Sequence, residues 1–309
     1  MQAEEKNNTS FNLQKPFRIV RGVGGNYWVH DEKRTSYQVQ APGIFRKKDH
    51  KPVPGDLVFC EATRDQLIPL RMTKILPRKN RLPRPPLANL DGLWILIPLR
   101  EPEPDLWMLD KMLVIAFKEK IPCLIIFTKE DLAGEEDYAP PDIYKKAGYD
   151  IILSSPEDQS IERQLQEKAE NGIIALAGPS GAGKSTLLNR LLGEERMETA
   201  AISEKTGRGK HTTRHAELFP CGDAYLVDTP GFSSLDLAAA GVSEEELLRA
   251  YPEIWARQDD CRFLSCKHLN EPGCAVKQDP GIAPGRLERY QEFRRQLEAI
   301  SDYERRSYR

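Results

Sequence analysis

The segment Gly178-Pro179-Ser180-Gly181-Ala182-Gly183-Lys184-Ser185-Thr186 fits G-x-x-x-x-G-K-[ST] at every specified position. It directly follows the apolar run Ile173–Ala177 and opens a helical stretch, Lys184–Leu192. In that strand–loop–helix setting, glycines let successive backbone N–H groups turn inward on an anion at a helix N-terminus. Lys184 is then placed to act on the β- and γ-phosphates of a nucleotide, and Ser185 to ligate Mg²⁺.

Two further segments bear on which nucleotide is bound. Asp228-Thr229-Pro230-Gly231 follows the strand-like Ala224–Val227. Asp228 there is a second magnesium-side carboxylate, acting through water, and the Gly231 N–H faces the γ-phosphate. Thr128-Lys129-Glu130-Asp131 follows Ile121–Phe127 and resembles the guanine-reading Asn-Lys-x-Asp pattern. A carboxylate at Asp131 can accept from guanine N1 and N2, donors that adenine does not offer, and the Lys129 stem can cover the base. Ser154 and Ser155, ending the next strand, are positioned to offer a backbone N–H to guanine O6. Thr128 stands where the pattern has Asn. It keeps a hydroxyl but lacks the amide that binds the base edge and ties the loops together, so looser nucleotide binding is expected.

The order of these motifs is unusual, with the guanine segment at 128, the phosphate loop at 178 and the metal aspartate at 228. A parallel sheet tolerates such a permutation because its sites collect at the carboxyl ends of the strands, whatever the connectivity. The reading is a GTP hydrolase. A non-enzymatic RNA-binding assembly protein, whose nucleotide only sets conformation, is the alternative; Lys184, Ser185 and Asp228, which a dead site need not keep, favour the enzyme. An ATP-dependent small-molecule kinase is disfavoured by Asp131.

A third cluster is Cys261-x4-Cys266-x-His268-x5-Cys274. Three thiolates and one imidazole form a complete tetrahedral set for one Zn²⁺, and four protein ligands make the metal structural. The remaining cysteines, Cys60, Cys123 and Cys221, are scattered singly and read as small buried hydrophobes.

Three regions position these groups. After a flexible tail (1–14), residues 15–78 show short strands punctuated by Gly24-Gly25-Asn26, Pro42-Gly43 and Pro54-Gly55-Asp56, a small β-barrel pattern. Ile44-Phe45 is read as one of those strands. Pro77–Pro86 reads as an extended linker. Across 79–236, Leu93–Ile97, Ile121–Phe127, Ile151–Leu153, Ile173–Ala177 and Ala224–Val227 are expected strands, with helices at Met108–Lys120, Ile161–Glu170 and Lys184–Leu192; this alternation implies a parallel sheet covered on both faces. Residues 237–309 form a helical region around the cysteine cluster. Its last helix, from Arg286, carries Arg286, Arg289, Arg294, Arg295, Arg305, Arg306 and Arg309, and reads as solvated or RNA-touching, with the solvated reading favoured.

Net charge is only −2, but Lys15–Arg84 holds sixteen Lys/Arg against six Asp/Glu. That asymmetry suits a polyanion, or is a solvated basic face. Tyr27, Trp28, Tyr37 and Phe45 are either barrel core or platforms for RNA bases. No apolar run reaches the ~18 residues of a membrane span, and the polar N-terminus is unlike a secretory signal, so no membrane association and a cytoplasmic location are expected.

Together the sequence resembles the ribosome small-subunit-dependent GTPase A family of circularly permuted GTPases. The likeness covers nearly the whole chain, including Leu76–Asn80, Ala88–Asp91, the phosphate loop, Gly209-Lys210-His211-Thr212-Thr213, Asp228–Gly231 and the cysteine cluster. It implies an N-terminal oligonucleotide-binding (OB) barrel, a permuted GTPase domain and a C-terminal zinc domain. It further implies a protein, expected to be monomeric, that binds the small ribosomal subunit and its rRNA late in maturation and is activated by it, cycling between GTP and GDP. Gly207–Thr213 is then the first switch, and Thr212 or Thr213 completes the Mg²⁺ shell. Phe232 follows Asp-x-x-Gly where other GTPases often carry a water-positioning glutamine; it cannot orient water, and His211 is the candidate that does.

Overall fold

Alternation of inward and outward side chains builds the first module. A computed structural model describes residues 12–46, 51–65, 67–158, 160–193, 216–229, 232 and 236–299. Strands β1 (Phe17–Val23), β2 (Asn26–His30), β3 (Ser36–Gln40), β4 (Leu57–Ala62) and β5 (Leu70–Ile75) close into a barrel of order β1-β2-β3-β5-β4. Phe17, Ile19, Tyr27, Val29, Tyr37, Val39, Val58, Cys60, Leu70 and Met72 fill it. Tyr27 and Tyr37 are therefore core, while Trp28 lies outside the barrel, half-buried against the neighbouring domain. The strand expected at Ile44-Phe45 is instead a 3₁₀ turn, Gly43–Arg46.

The expected linker is folded. β6 (Arg81–Pro83) and β7 (Pro86–Ala88) pair as an antiparallel hairpin. Apolar Leu82 and Leu87 are fully buried in the domain core, which is why this proline-rich stretch is not free. Gly55 has φ +94°, and a Cβ there would lie 2.0 Å from the Ala88 carbonyl oxygen, so the barrel meets the hairpin backbone to backbone. Beside it the buried Asp56 carboxylate accepts from Arg78 Nε at 2.6 Å and from the Val53 N–H at 2.8 Å.

The second module is a six-stranded sheet. Its strands are β8 (Gly92–Pro98), β9 (Cys123–Thr128), β10 (Asp150–Ser154), β11 (Ile173–Ala177), β12 (Phe219–Cys221) and β13 (Ala224–Asp228), in order β10-β9-β8-β11-β13-β12. All neighbours are parallel except β12 with β13. Leu93, Ile95 and Ile97 of β8 face one core, Trp94 and Leu96 the other, so both faces are dry. Helices α1 (Leu106–Lys118) and α2 (Ala139–Lys146) cover the first face; α3 (Ser160–Ala169) and α4 (Lys184–Leu192) cover the second.

The C-terminal region, with α5 (Glu244–Arg249), α6 (Pro252–Trp255), α7 (Ala275–Gln278) and α8 (Pro284–Glu298), packs on the α1/α2 side. Tyr251, Ile254, Val276, Tyr290, Phe293 and Leu297 belong to the same core as Leu109 and Ile125. For Arg286, Arg289 and Arg294 of α8 the solvated or RNA-touching reading is corrected; Arg295 is exposed beside Glu292, and Arg305, Arg306 and Arg309 lie outside the described residues. Arg286 is 1% exposed and, with Arg289, bonds the fully buried Asp110 of α1. Arg286 also donates to Glu253 at 2.7 Å, and Arg294 to Glu244 at 2.6 Å. Tyr144 of α2 donates to Asp110 at 2.5 Å, and the Arg286 guanidinium lies 4.2 Å from the Tyr251 ring centroid. Burial alone would lower the Arg286 pKa, but Asp110 and Glu253 hold it well above its ordinary value.

Replacing one partner leaves a buried charge uncompensated, a loss of about 3–5 kcal/mol. Asp110→Asn should therefore lower the denaturant midpoint of unfolding by that free energy with an unchanged m-value; a change below about 1 kcal/mol would show that the cluster contributes little.

Candidate nucleotide site and metal centre

The carboxyl ends of β9, β8, β11 and β13 lie side by side, and the motifs sit on the loops they release. Ala177 ends β11, and Gly178 turns out of it at φ +142°. A Cβ at Gly178 would lie 2.2 Å from the Leu96 carbonyl oxygen of β8, so only glycine lets the loop leave the sheet this way. Pro179, Ser180 and Gly181 (φ +79°) follow, the apolar Ala182 side is fully buried, and Gly183 (φ +85°) caps the start of α4. Lys184 Nζ donates to the Gly178 and Pro179 carbonyls at 2.8 and 2.7 Å, which holds its charge against the loop. Ser185 and Thr186 occupy the first turn of α4.

Asp228 ends β13 beside this loop, in register with Leu176. Among the described residues its buried Oδ1 has no hydrogen-bond partner, an unsatisfied acceptor aligned with a phosphate loop. Burial raises the Asp228 pKa, opposed by Lys184; burial lowers the Lys184 pKa, opposed by Asp228. Thr229 Oγ1 donates to the Leu176 carbonyl at 2.7 Å and fixes the strand's exit. A hydrated divalent cation suits this donor set, since it supplies the positive charge and the hydrogen-bond donors that Oδ1 lacks.

The guanine-type segment reaches the same place from two strands away. Thr128 is buried at the end of β9, and its Oγ1 donates to the Ala182 carbonyl at 3.0 Å. The loss of the inter-loop tie expected from the missing amide therefore does not occur; the hydroxyl makes it. Lys129 has φ +60°, rare for a non-glycine residue, and its ammonium donates to the Glu101 carbonyl. Glu130–Leu132 form a 3₁₀ turn in which Asp131 is solvent-exposed and Glu130 Oε1 accepts from Tyr138 at 3.4 Å. Ser154 pairs with Thr128 across β10 and β9, and Ser155 follows it.

Two contributors escaped the sequence reading. The turn after β8 supplies Glu101, itself at φ +53°, and Pro102, whose Cδ lies 3.6 Å from where a Gly181 Cβ would be. Its position at a strand's carboxyl end, between the two motif-bearing strands, was the available signal. Arg190 of α4 donates to Glu162 at 2.5 Å and to the Asp158 carbonyl at 2.8 Å, which ties the phosphate-loop helix to the turn after Ser155. His211, Thr212, Thr213 and Gly231 lie outside the described residues. Phe232 is 1% exposed and belongs to the core.

The four ligand atoms of Cys261, Cys266, His268 and Cys274 all lie within 4.8 Å of one another. His268 turns Nδ1 inward, 3.6 Å from Cys261 Sγ and 3.4 Å from Cys274 Sγ, on a left-handed backbone at φ +61°. Burial pushes the Cys266 thiol up to about 12, so a set of thiolates this close needs a cation among them. The cluster can hold a metal ion.

A model of the RsgA GTPase family matches residues 75–238, and one of the RsgA N-terminal domain matches 18–67. The small ribosomal subunit biogenesis GTPase RsgA of Alkaliphilus metalliredigens is 41% identical over 262 residues, covering 84% of this chain and 89% of its own. The chain belongs to the RsgA GTPase family. The RsgA of Clostridium novyi is 38% identical, covering 91% of this chain and 96% of its own. Among solved structures, the circularly permuted GTPase YloQ superposes with a TM-score of 0.74 at 30% identity, covering 96% of this chain and 98% of that one. YjeQ from Thermotoga maritima gives 0.74 at 29% identity, covering 93% and 99%. As a member of this family the chain is a GTP hydrolase with a permuted P-loop domain.

Gly178→Ala should distort the loop by about 1–3 kcal/mol and weaken GTP binding at least ten-fold in calorimetric titration. An unchanged Kd would show that close approach of the loop to β8 is not needed for binding.

Proposed function

We propose that this protein is a cytoplasmic, monomeric GTPase that acts in maturation of the small ribosomal subunit, hydrolysing GTP to GDP and phosphate with stimulation by the subunit. The observation that carries the reading is the Thr128–Ala182 hydrogen bond, which brings the base-reading segment against the phosphate loop. The names carried by its relatives supply the ribosomal part.

In this reading backbone N–H groups of Ser180–Thr186 hold the phosphates, and Lys184 leaves its two carbonyl partners for the β- and γ-phosphates. Asp131 accepts from guanine N1 and N2, the Lys129 stem covers the base and Ser154-Ser155 faces O6. Ser185 and Asp228 would hold Mg²⁺, which neutralises the charge developing on the phosphate oxygens. Thr212 or Thr213 completes that shell, Gly231 senses the γ-phosphate and His211 orients the attacking water. The cysteine cluster holds one structural Zn²⁺, the ion best suited to three thiolates and an imidazole. With its hydroxyl hydrogen committed to Ala182, Thr128 has no side-chain donor left for the base edge, so guanine selectivity rests on Asp131.

GTP hydrolysis measured with and without purified small subunits tests the activity. Slow turnover alone and at least a ten-fold stimulation are expected; no stimulation would remove the subunit from the mechanism. His211→Ala should abolish most of the stimulated rate with GTP affinity within a few-fold. Asp131→Asn places an amide donor where guanine also presents donors, so it should weaken GTP binding roughly 100-fold, the loss of two charge-assisted hydrogen bonds, and favour xanthosine triphosphate, whose 2-oxo group accepts. Unaltered base preference would show that another residue reads the base.

A further inference from the structure

The sheet leaves one rim of the nucleotide site without a neighbour. β10 is an edge strand, paired with β9 alone, so the turn it releases has a strand-borne loop on one side only. That turn is Ser155-Pro156-Glu157-Asp158. It closes on itself through a long bond, from the Asp158 N–H to the Ser155 carbonyl at 3.4 Å. Pro156 contributes no N–H, so a base edge read here depends on the few donors around it being held in place.

The brace on the other side comes from the phosphate-loop helix. Arg190, in the last turn of α4, donates through Nε to Glu162 at 2.5 Å and through Nη2 to the Asp158 carbonyl at 2.8 Å. Its Nη1 reaches the Ser155 carbonyl more loosely, at 3.5 Å. The Arg190 and Glu162 side chains are each only 24% exposed, so salt screens their attraction less than that of a surface pair. Glu162 stands in the first turn of α3, and Ile161 and Leu165 of that helix share a core with Leu187, Leu188 and Leu191 of α4. Both ends of the clamp are thus anchored in packed helices. A planar guanidinium that meets one carboxylate and two carbonyls of a single turn fixes how that turn is oriented.

Arg190 and Lys184 lie on the same helix, roughly 9 Å of rise apart. One rigid element therefore opens the phosphate cradle and holds the turn that follows Ser154. The opposite rim is tied to the cradle as well, by the Thr128 hydroxyl on the Ala182 carbonyl. The segment carrying Asp131 and the turn at Ser155 are each referenced to the phosphate loop by a tie of its own.

We propose that Arg190 is a positioning residue for base selection. By clamping Ser155–Asp158 to the phosphate-loop helix, it holds the backbone donor that reads the 6-oxo group of guanine. The inference rests on the reading of Ser154-Ser155 as facing O6, and adds the side chain that keeps them there. In this role Arg190 acts through the turn and not by contact with the base.

Calorimetric titration of the full chain with GDP, 6-thio-GDP and IDP tests this. The first analogue replaces the 6-oxo oxygen by a larger, weakly accepting sulfur; the second lacks the 2-amino group assigned to Asp131. The wild type should prefer GDP over 6-thio-GDP roughly ten-fold, the loss of about one hydrogen bond. In Arg190→Ala that preference should fall to within about two-fold, while the preference for GDP over IDP stays within about two-fold of the wild-type ratio. Arg190→Lys keeps the charge but not the fork, and should fall between the two. Glu162→Ala, which frees Arg190 without altering the turn, should move the 6-thio ratio in the same direction; with Arg190→Lys it carries the test if circular dichroism shows Arg190→Ala unfolded. An unchanged 6-thio ratio in the folded variants overturns the positioning role. So does an equal collapse of both ratios, which marks a general opening of the pocket. A wild type that binds GDP and 6-thio-GDP alike sinks the reading of Ser154-Ser155 itself, and the inference with it. A wild type indifferent to IDP counts against Asp131, while the 6-thio ratio still judges Arg190.

Discussion

Parallel pairing of β9, β8, β11 and β13 delivers three chemically distinct loops to one edge of a single sheet, and everything else in the molecule serves or uses that convergence. The hydrogen bond from Thr128 to Ala182 is the point where the loops touch. A neutral bond of this kind contributes only about 0.5–1.5 kcal/mol. Its importance is geometric, because it fixes the distance between the segment that would read a base and the cradle that would hold its phosphates. Lys129 and Glu101, both in the left-handed region and joined through the lysine ammonium, place backbone strain at the same junction.

The C-terminal region is part of this device rather than an appendage. Its apolar residues share one core with the sheet, and Arg286 and Arg289 reach through to Asp110 of α1 and Tyr144 of α2. Those two helices flank the loops carrying Glu101 and Thr128–Asp131. The region has no core of its own, since its apolar residues belong to the core of the sheet, and the buried ion network fixes how it sits there.

Charge along the chain divides differently once the partners are visible. Arg78 neutralises buried Asp56, Arg34 clasps the sheet edge, and Arg286, Arg289 and Arg294 hold helices together. Arg78 and Arg34, both counted in the basic stretch Lys15–Arg84, are thus structural.

The sequence by itself determined the phosphate loop, the buried strands and the metal cluster. Each is written in local terms: glycines at fixed offsets before Lys184, runs of apolar residues long enough for a strand, and four soft ligands within fourteen residues. Bounds for β11 and α4 agree with those runs to the residue. Tertiary structure alone decided the rest, because each remaining feature depends on groups far apart in sequence. Proline content read as linker, yet Leu82 and Leu87 are buried by a core assembled from later segments. Arg286 and Arg289 of α8 read as solvated, yet their counter-charge Asp110 lies 176 and 179 residues away. Thr128 read as a lost tie, yet the carbonyl it needs is 54 residues on, brought within reach only when β9, β8 and β11 align. A pattern of residue types records what a segment can bond; which partner satisfies it is set by the packing of the whole chain.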